Sequence, residues 1–152
     1  LALAAVYYSP LQYMYWYDKP SDSQDEPELK FFDDVYTTWD DTKVLQGEVG
    51  EFITIARRKG EEWFIGSITN NEKRVLSVSL DFLPEGKNYI AEIYTDGDKS
   101  VKTRTKVRVS TYRVSNKTKL NFCLKASGGG AVRLVPDDGN IKSVKNYKQQ
   151  RL

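Results

Sequence analysis

The chain of 152 residues is 39% hydrophobic and 29% charged, with 10 Tyr, 6 Phe and 3 Trp, which is one domain's worth of length and aromatic surface and excludes wholesale disorder. A single cysteine, Cys123, rules out an internal disulfide, and the absence of histidine removes the usual general base, the commonest zinc ligand and every Ser-His or Cys-His pairing. The formal net charge of +2 conceals a division: residues 1–50 carry ten acids against three bases, residues 51–152 eleven against twenty, a shift of the kind that separates parts folding differently.

Residues 1–16 (LALAAVYYSPLQYMYW) are apolar at nearly every position and predict a helix buried on most sides, ended or kinked near Ser9 by Pro10. The chain opens on Leu, with no basic region ahead of the apolar run, and reads as cut from something longer. That run lacks the charged start and cleavage site of a secretory signal, and no stretch of about 20 apolar residues is present to span a bilayer. Residues 18–28 (DKPSDSQDEPE) read as an exposed acidic linker, extending to residue 47 and carrying a short helix over 29–38 (LKFFDDVYTT).

From Glu51 the period changes to 2, the signature of strands. Residues 52–57 form the first and turn at Lys59-Gly60; residues 63–68 form the second, before the Asn70-Asn71 turn. Residues 75–82 alternate up to Pro84-Glu85-Gly86, and residues 89–94 run into Asp96-Gly97, a hairpin signal. Residues 102–109, 119–126 and 131–135 complete the set, and residues 140–152 make a basic, frayed tail. Seven or eight short strands predict a mainly β chain, an antiparallel β-sandwich of Greek-key-like order over residues 48–139, preceded by the helix and linker.

With no histidine, the acids are the remaining candidates for acid–base work. Asp33-Asp34 and Asp40-Asp41 are adjacent in sequence, so their side chains diverge and make no facing dyad; solvated surface acids are the simpler account. Asp96-Gly97-Asp98 is only a fragment of a calcium loop, without the distal Glu, and Gly128-Gly129-Gly130 lacks the Lys-Ser or Lys-Thr of a phosphate cradle, so both read as turns. Lys102, Arg104, Lys106 and Arg108 fall on one strand face, with Lys142, Lys145 and Lys148 in the tail; aromatic side chains are not interleaved with them, so a solvated face is preferred to a nucleic-acid surface. Trp39, Trp63 and Tyr94 are the candidate carbohydrate contacts, with core packing the favoured account of Trp63.

Several ordered blocks resemble the C-terminal region of family 97 glycoside hydrolases: Ser9-Pro10-Leu11-Gln12, the acidic linker, Thr38-Trp39-Asp40-Asp41-Thr42-Lys43-Val44-Leu45, Ile55-Ala56-Arg57-Arg58-Lys59-Gly60, Trp63-Phe64-Ile65-Gly66-Ser67-Ile68-Thr69-Asn70, Leu80-Asp81-Phe82-Leu83-Pro84 and Tyr94-Thr95-Asp96-Gly97. The match is dense from residue 2 to 98 and looser through the three glycines. Family members place an N-terminal β-sandwich and a catalytic (β/α)₈ barrel, which cleaves α-glucosidic or α-galactosidic bonds, ahead of a C-terminal β-sandwich. The resemblance implies that residues 1–17 are the barrel's last helix, that the barrel is this domain's partner, and that an envelope setting, periplasmic or secreted, is typical. It also implies calcium in the parent, with catalytic carboxylates and calcium ligands upstream of Leu1, so no catalytic, cofactor or metal residue is carried over. The expected role is non-catalytic packing against the barrel, with Arg57 and Arg58 on opposite faces of their strand. The alternative is a carbohydrate-binding module taking an α-linked oligosaccharide.

Overall fold

The tightest local constraint is the turn after Lys59. Lys59 pairs with Glu62, leaving Gly60 and Glu61 as a two-residue loop, and Gly60 takes a left-handed φ of 57°, which costs glycine little. In the computed structural model, which describes residues 1–13, 19–24, 26–97, 99–101, 105–141 and 143–148, this turn joins β2 (Phe52–Lys59) to β3 (Glu62–Thr69). The other strands are β1 (Asp41–Glu48), β4 (Arg74–Ser79), β5 (Asn88–Asp96), β6 (Val107–Ser115), β7 (Lys119–Leu124) and β8 (Gly129–Pro136). Two short helices, α1 (Ala2–Val6) and α2 (Leu29–Asp34), precede them.

All strand pairs are antiparallel: a six-stranded sheet of order β1-β2-β3-β8-β5-β6 and a two-stranded ribbon, β4-β7. The expected sandwich is therefore present in unequal form. Trp63 and Ile65 of β3, Ala91 and Ile93 of β5, and Val132 and Leu134 of β8 meet Leu76, Val78, Leu120 and Phe122 of the ribbon in one core. The intervening residues Phe64, Tyr94 and Ala131 face the other way and meet Ala4, Ala5 and Phe31 of the helices in a second core. Burial on both faces explains why residues 63–68 are a nearly continuous apolar run. Thr54 and Ser67, fully buried partners in register, satisfy each other through a hydroxyl–hydroxyl hydrogen bond of 2.8 Å.

Four expectations are corrected. The predicted first helix is only α1, its chain extended already at Tyr7, and its buried residues are Ala2, Ala4, Ala5 and Val6 while Leu3 is exposed; residues 14–18 lie outside the described ones. Strand β1 lies, all but Glu48, within the span read as linker: it is a polar edge strand whose register slips between Val44 and Gln46, so its period is broken. Strand β6 begins at Val107 rather than Lys102; residues 102–104 lie outside the described ones, and Lys106, at a φ of 56°, interrupts extended geometry. Residues 145–147 are docked rather than frayed: the Arg113 amide donates to the Lys145 carbonyl and the Tyr147 amide to the Arg113 carbonyl, both at 2.9 Å.

Helix α1 lies against β3 at Gly66. A Cβ there would stand 2.5 Å from the Ala2 carbonyl oxygen and 3.0 Å from the Ala5 Cβ and the Val6 side chain. Gly66→Ala is therefore expected to lift α1 from the sheet and to cost about 1–3 kcal/mol, the usual range for overpacking. A urea midpoint equal to that of the parent chain would show that α1 does not pack there.

Candidate functional site

The helix-bearing side of the six-stranded sheet concentrates the buried charge, the aromatic clustering and the exposed apolar groups. At its centre is Arg57, 2% exposed, on β2. Its Nε donates to the Ala5 carbonyl at 2.5 Å, Nη2 to the Val6 carbonyl at 2.9 Å and Nη1 to the Thr42 hydroxyl at 3.0 Å. No carboxylate forms an ion pair with it among the described residues. Burial lowers its pKa, yet the guanidinium stays charged, because its fork matches the last two carbonyls of α1 in a way an ammonium could not. The Tyr8 ring lies over it at 5.1 Å. Arg58 points to the opposite face, as expected, where it lies 6.0 Å from the Trp63 ring.

Helix α2 is fixed by Phe31, fully buried edge-to-face against Tyr94 at 5.3 Å and Phe64 at 5.8 Å. Around this cluster Arg133 binds Asp34 at 2.7 Å and Glu62 at 2.9 Å, and Lys30 bridges Asp34 and Glu92, tying α2 to β3, β5 and β8. Asp40 accepts from the Gly60 amide at 2.8 Å and from Lys59 at 3.0 Å, and those bonds, the amide's first, hold its carboxyl below its ordinary pKa. Glu28, fully buried, accepts from the Thr105 hydroxyl with one oxygen; its other oxygen and the buried Trp39 Nε1 have no hydrogen-bond partner among the described residues.

The three candidate carbohydrate contacts are separated by the sheet. Trp63, 4% exposed, packs in the inter-sheet core with its ring 4.7 Å from that of Phe82. Tyr94, 2% exposed, lies on the helix side, as does Trp39, half-buried against Phe64 at 5.5 Å. Neither Trp63 nor Tyr94 offers an open ring face. Burial is the main reason that the Tyr94 hydroxyl is pushed up to about 12. Asp33 and Asp34 are divided as expected, Asp33 exposed and Asp34 bound to Arg133. Asp96 accepts from the Lys125 amide at 3.0 Å, a turn contact, and Asp98 lies outside the described residues. Of the basic-face residues, Lys102, Arg104 and Lys142 also lie outside them; Lys106 bonds the Val101 carbonyl and Arg108 the Ser100 hydroxyl. Among the described residues no three Cys, Asp or Glu side chains are grouped to hold a metal. Nor, among the described residues, is any helix long and apolar enough to cross a membrane.

The apolar run of residues 1–16, read from sequence as a buried helix, instead leaves an exposed apolar rim beside α1. Leu3, Tyr7, Tyr8, Leu11 and Tyr13 are exposed, the last two to 88% and 91%. Val44 joins them on the same face, since it pairs with Ile55, two residues from Arg57 on β2. The run of bulky apolar residues past Val6, where the helix has ended, was the available signal.

A family model described as "Glycosyl-hydrolase 97 C-terminal, oligomerisation" matches residues 38–135. The retaining alpha-galactosidase of Bacteroides thetaiotaomicron is 34% identical over 135 residues, which is 88% of this chain and 20% of that protein. A glycoside hydrolase family 97 enzyme from Pseudoalteromonas sp. strain K8, solved in complex with acarbose, superposes with a TM-score of 0.78 at 35% identity over 89% of this chain and 22% of its own. A β-arabinopyranosidase crystal structure shares the fold, with a TM-score of 0.59 at 23% identity over 76% of this chain and 18% of its own. The chain thus spans about a fifth of the length of these relatives.

Arg57→Met would leave the Ala5 and Val6 carbonyls buried without a donor and is expected to cost about 2–4 kcal/mol in urea unfolding. Arg57→Lys should recover only part of that; full recovery would mean that charge, not the fork, matters. Because the Tyr94 pKa is raised in the folded state, the unfolded chain releases this proton first. Stability is therefore expected to fall from about pH 10 to about pH 12, by roughly 2–3 kcal/mol from this group. Tyr94→Phe should flatten that decline in alkaline denaturation curves; an identical decline in the variant would assign it to other groups.

Proposed function

The chain belongs to the C-terminal domains of family 97 glycoside hydrolases and forms a non-catalytic portion of such an enzyme, and from that premise we propose that it docks on the catalytic domain through its helix-bearing face. The observation that carries this reading is the apolar rim of α1. Leu3 of α1 and Tyr7, Tyr8, Leu11 and Tyr13 just after it are exposed, and this chain spans only about a fifth of relatives whose further length could supply a covering neighbour. Arg57 would make the connection rigid, since it fixes the end of α1 to the sheet, so that covering α1 holds the sandwich in place. We further infer that the parent enzyme cleaves α-glycosidic bonds, because one relative is a retaining alpha-galactosidase and another was solved with acarbose. The domain would also contribute to self-assembly, as the family description states for its members.

In the full-length enzyme, the pair Leu3→Asp and Leu11→Asp is expected to lower Tm by several degrees while leaving the urea midpoint of the 152-residue chain unchanged, because both side chains are exposed in it. An unchanged Tm of the full-length pair would overturn the docking role. For assembly, light scattering of the full-length enzyme should show an oligomer that becomes a monomer when residues 38–135 are deleted; a monomeric full-length enzyme would overturn that part.

A further inference from the structure

Where the six-stranded sheet extends past the ribbon, the inner faces of β5 and β6 are left uncovered beside β7, forming a groove of about 1380 Å³. Its floor includes Ile93, Tyr112 and Tyr147, the two tyrosine rings meeting edge-to-face with centroids 5.4 Å apart. Residues 144–148 also line it, held on β6 by the backbone bonds at Arg113 and on β7 by the Asn121 amide donating to the Tyr147 hydroxyl at 3.0 Å.

The charge of this groove is one-sided. Seven lysines and arginines line it against a single acid, Asp96, whose carboxylate already accepts from the Lys125 amide. Arg74 and Arg113 are neutralised by Glu51 and Asp137. Lys73, Lys145 and Lys148 have no ion-pair partner among the described residues. They stand along a groove with an aromatic floor, so their fields add over its length. The groove opens on the ribbon side of the sheet, away from α1 and α2, and so remains accessible when the helix face is covered.

We propose that this groove binds an anionic polysaccharide, with sugar rings against Tyr112 and Tyr147 and carboxylate or sulfate groups on Lys73, Lys145 and Lys148. A nucleic acid fits less well, because two rings packed edge-to-face offer no series of parallel platforms for successive bases. The inference stands apart from the docking reading: it concerns the other side of the sheet and would survive a failure of that reading.

Affinity electrophoresis of the 152-residue chain through gels containing polygalacturonate or neutral dextran tests it. Retardation is expected with polygalacturonate only, weakening as salt is added. The variant K73Q/K145Q/K148Q, whose side chains are exposed, should bind about tenfold more weakly, as the loss of three solvent-screened contacts implies. The variant K19Q/K43Q/K87Q, which removes the same charge elsewhere, should bind as the parent chain does. Absence of retardation, an equal loss in the second variant, or equally tight binding of single-stranded oligothymidylate would each overturn the proposal.

Discussion

A cation in a dry place must find acceptors, and Arg57 finds them in the last carbonyls of α1. Much of the helix side follows from that contact. The two carbonyls would otherwise be orphaned at a helix end pressed against the sheet, and the guanidinium would otherwise be an uncompensated buried charge. Each group makes the other's burial tolerable. The contact also fixes how close α1 must come, which is why Gly66 lies beneath it and why the residues of α1 facing the sheet are Ala2, Ala5 and Val6. A helix of five residues has no stability of its own in water, so α1 exists because the sheet holds it.

The central strands were legible in the sequence because their constraints are local. Alternation, the Lys59-Gly60 turn and the apolar run through Trp63 require no knowledge of the partner strand. Strand β1 was not legible, since an edge strand with a register slip carries polar residues on most positions and resembles a linker. Core packing of Trp63 was the favoured reading and holds, but the placement of Trp39 and Tyr94 and the side of the sheet each aromatic takes were hidden. Each is an aromatic beside a charged or polar neighbour, a pattern shared by sugar platforms and cores, and only the two-sided burial of β3 and β5 separates them. Opposed faces for Arg57 and Arg58 followed from strand period alone, whereas the carbonyls that Arg57 binds are some fifty positions away and became its partners only through the fold.

Two layers of unequal width give the domain two different free surfaces. Six strands cannot be covered by two, so the ribbon protects the middle of one face, the helices protect part of the other, and the remainder is open. On the helix side the open part is apolar and adjoins the entry of the chain. On the ribbon side it is cationic and lies at the β6 edge, where residues 145–147 bridge the strand that would otherwise end the sheet unpaired. The chemistry of these surfaces differs because they adjoin different parts of the sequence.

The charge division of the chain acquires a structural meaning on this basis. The described acids of the first third do not stand apart as a separate unit: those of α2 and those just before β1 pair with the basic remainder, Asp34 with Arg133 and Asp40 with Lys59. Those bonds consume acids from one part and bases from the other where the two parts meet. The excess positive charge of residues 51–152 is therefore not spread evenly, because the cations remote from that seam meet fewer acids. Lys73, Lys145 and Lys148 belong to this remote set, at the ends of the ribbon and in the docked tail, and so the imbalance first visible as a count of residues emerges on one face of the molecule.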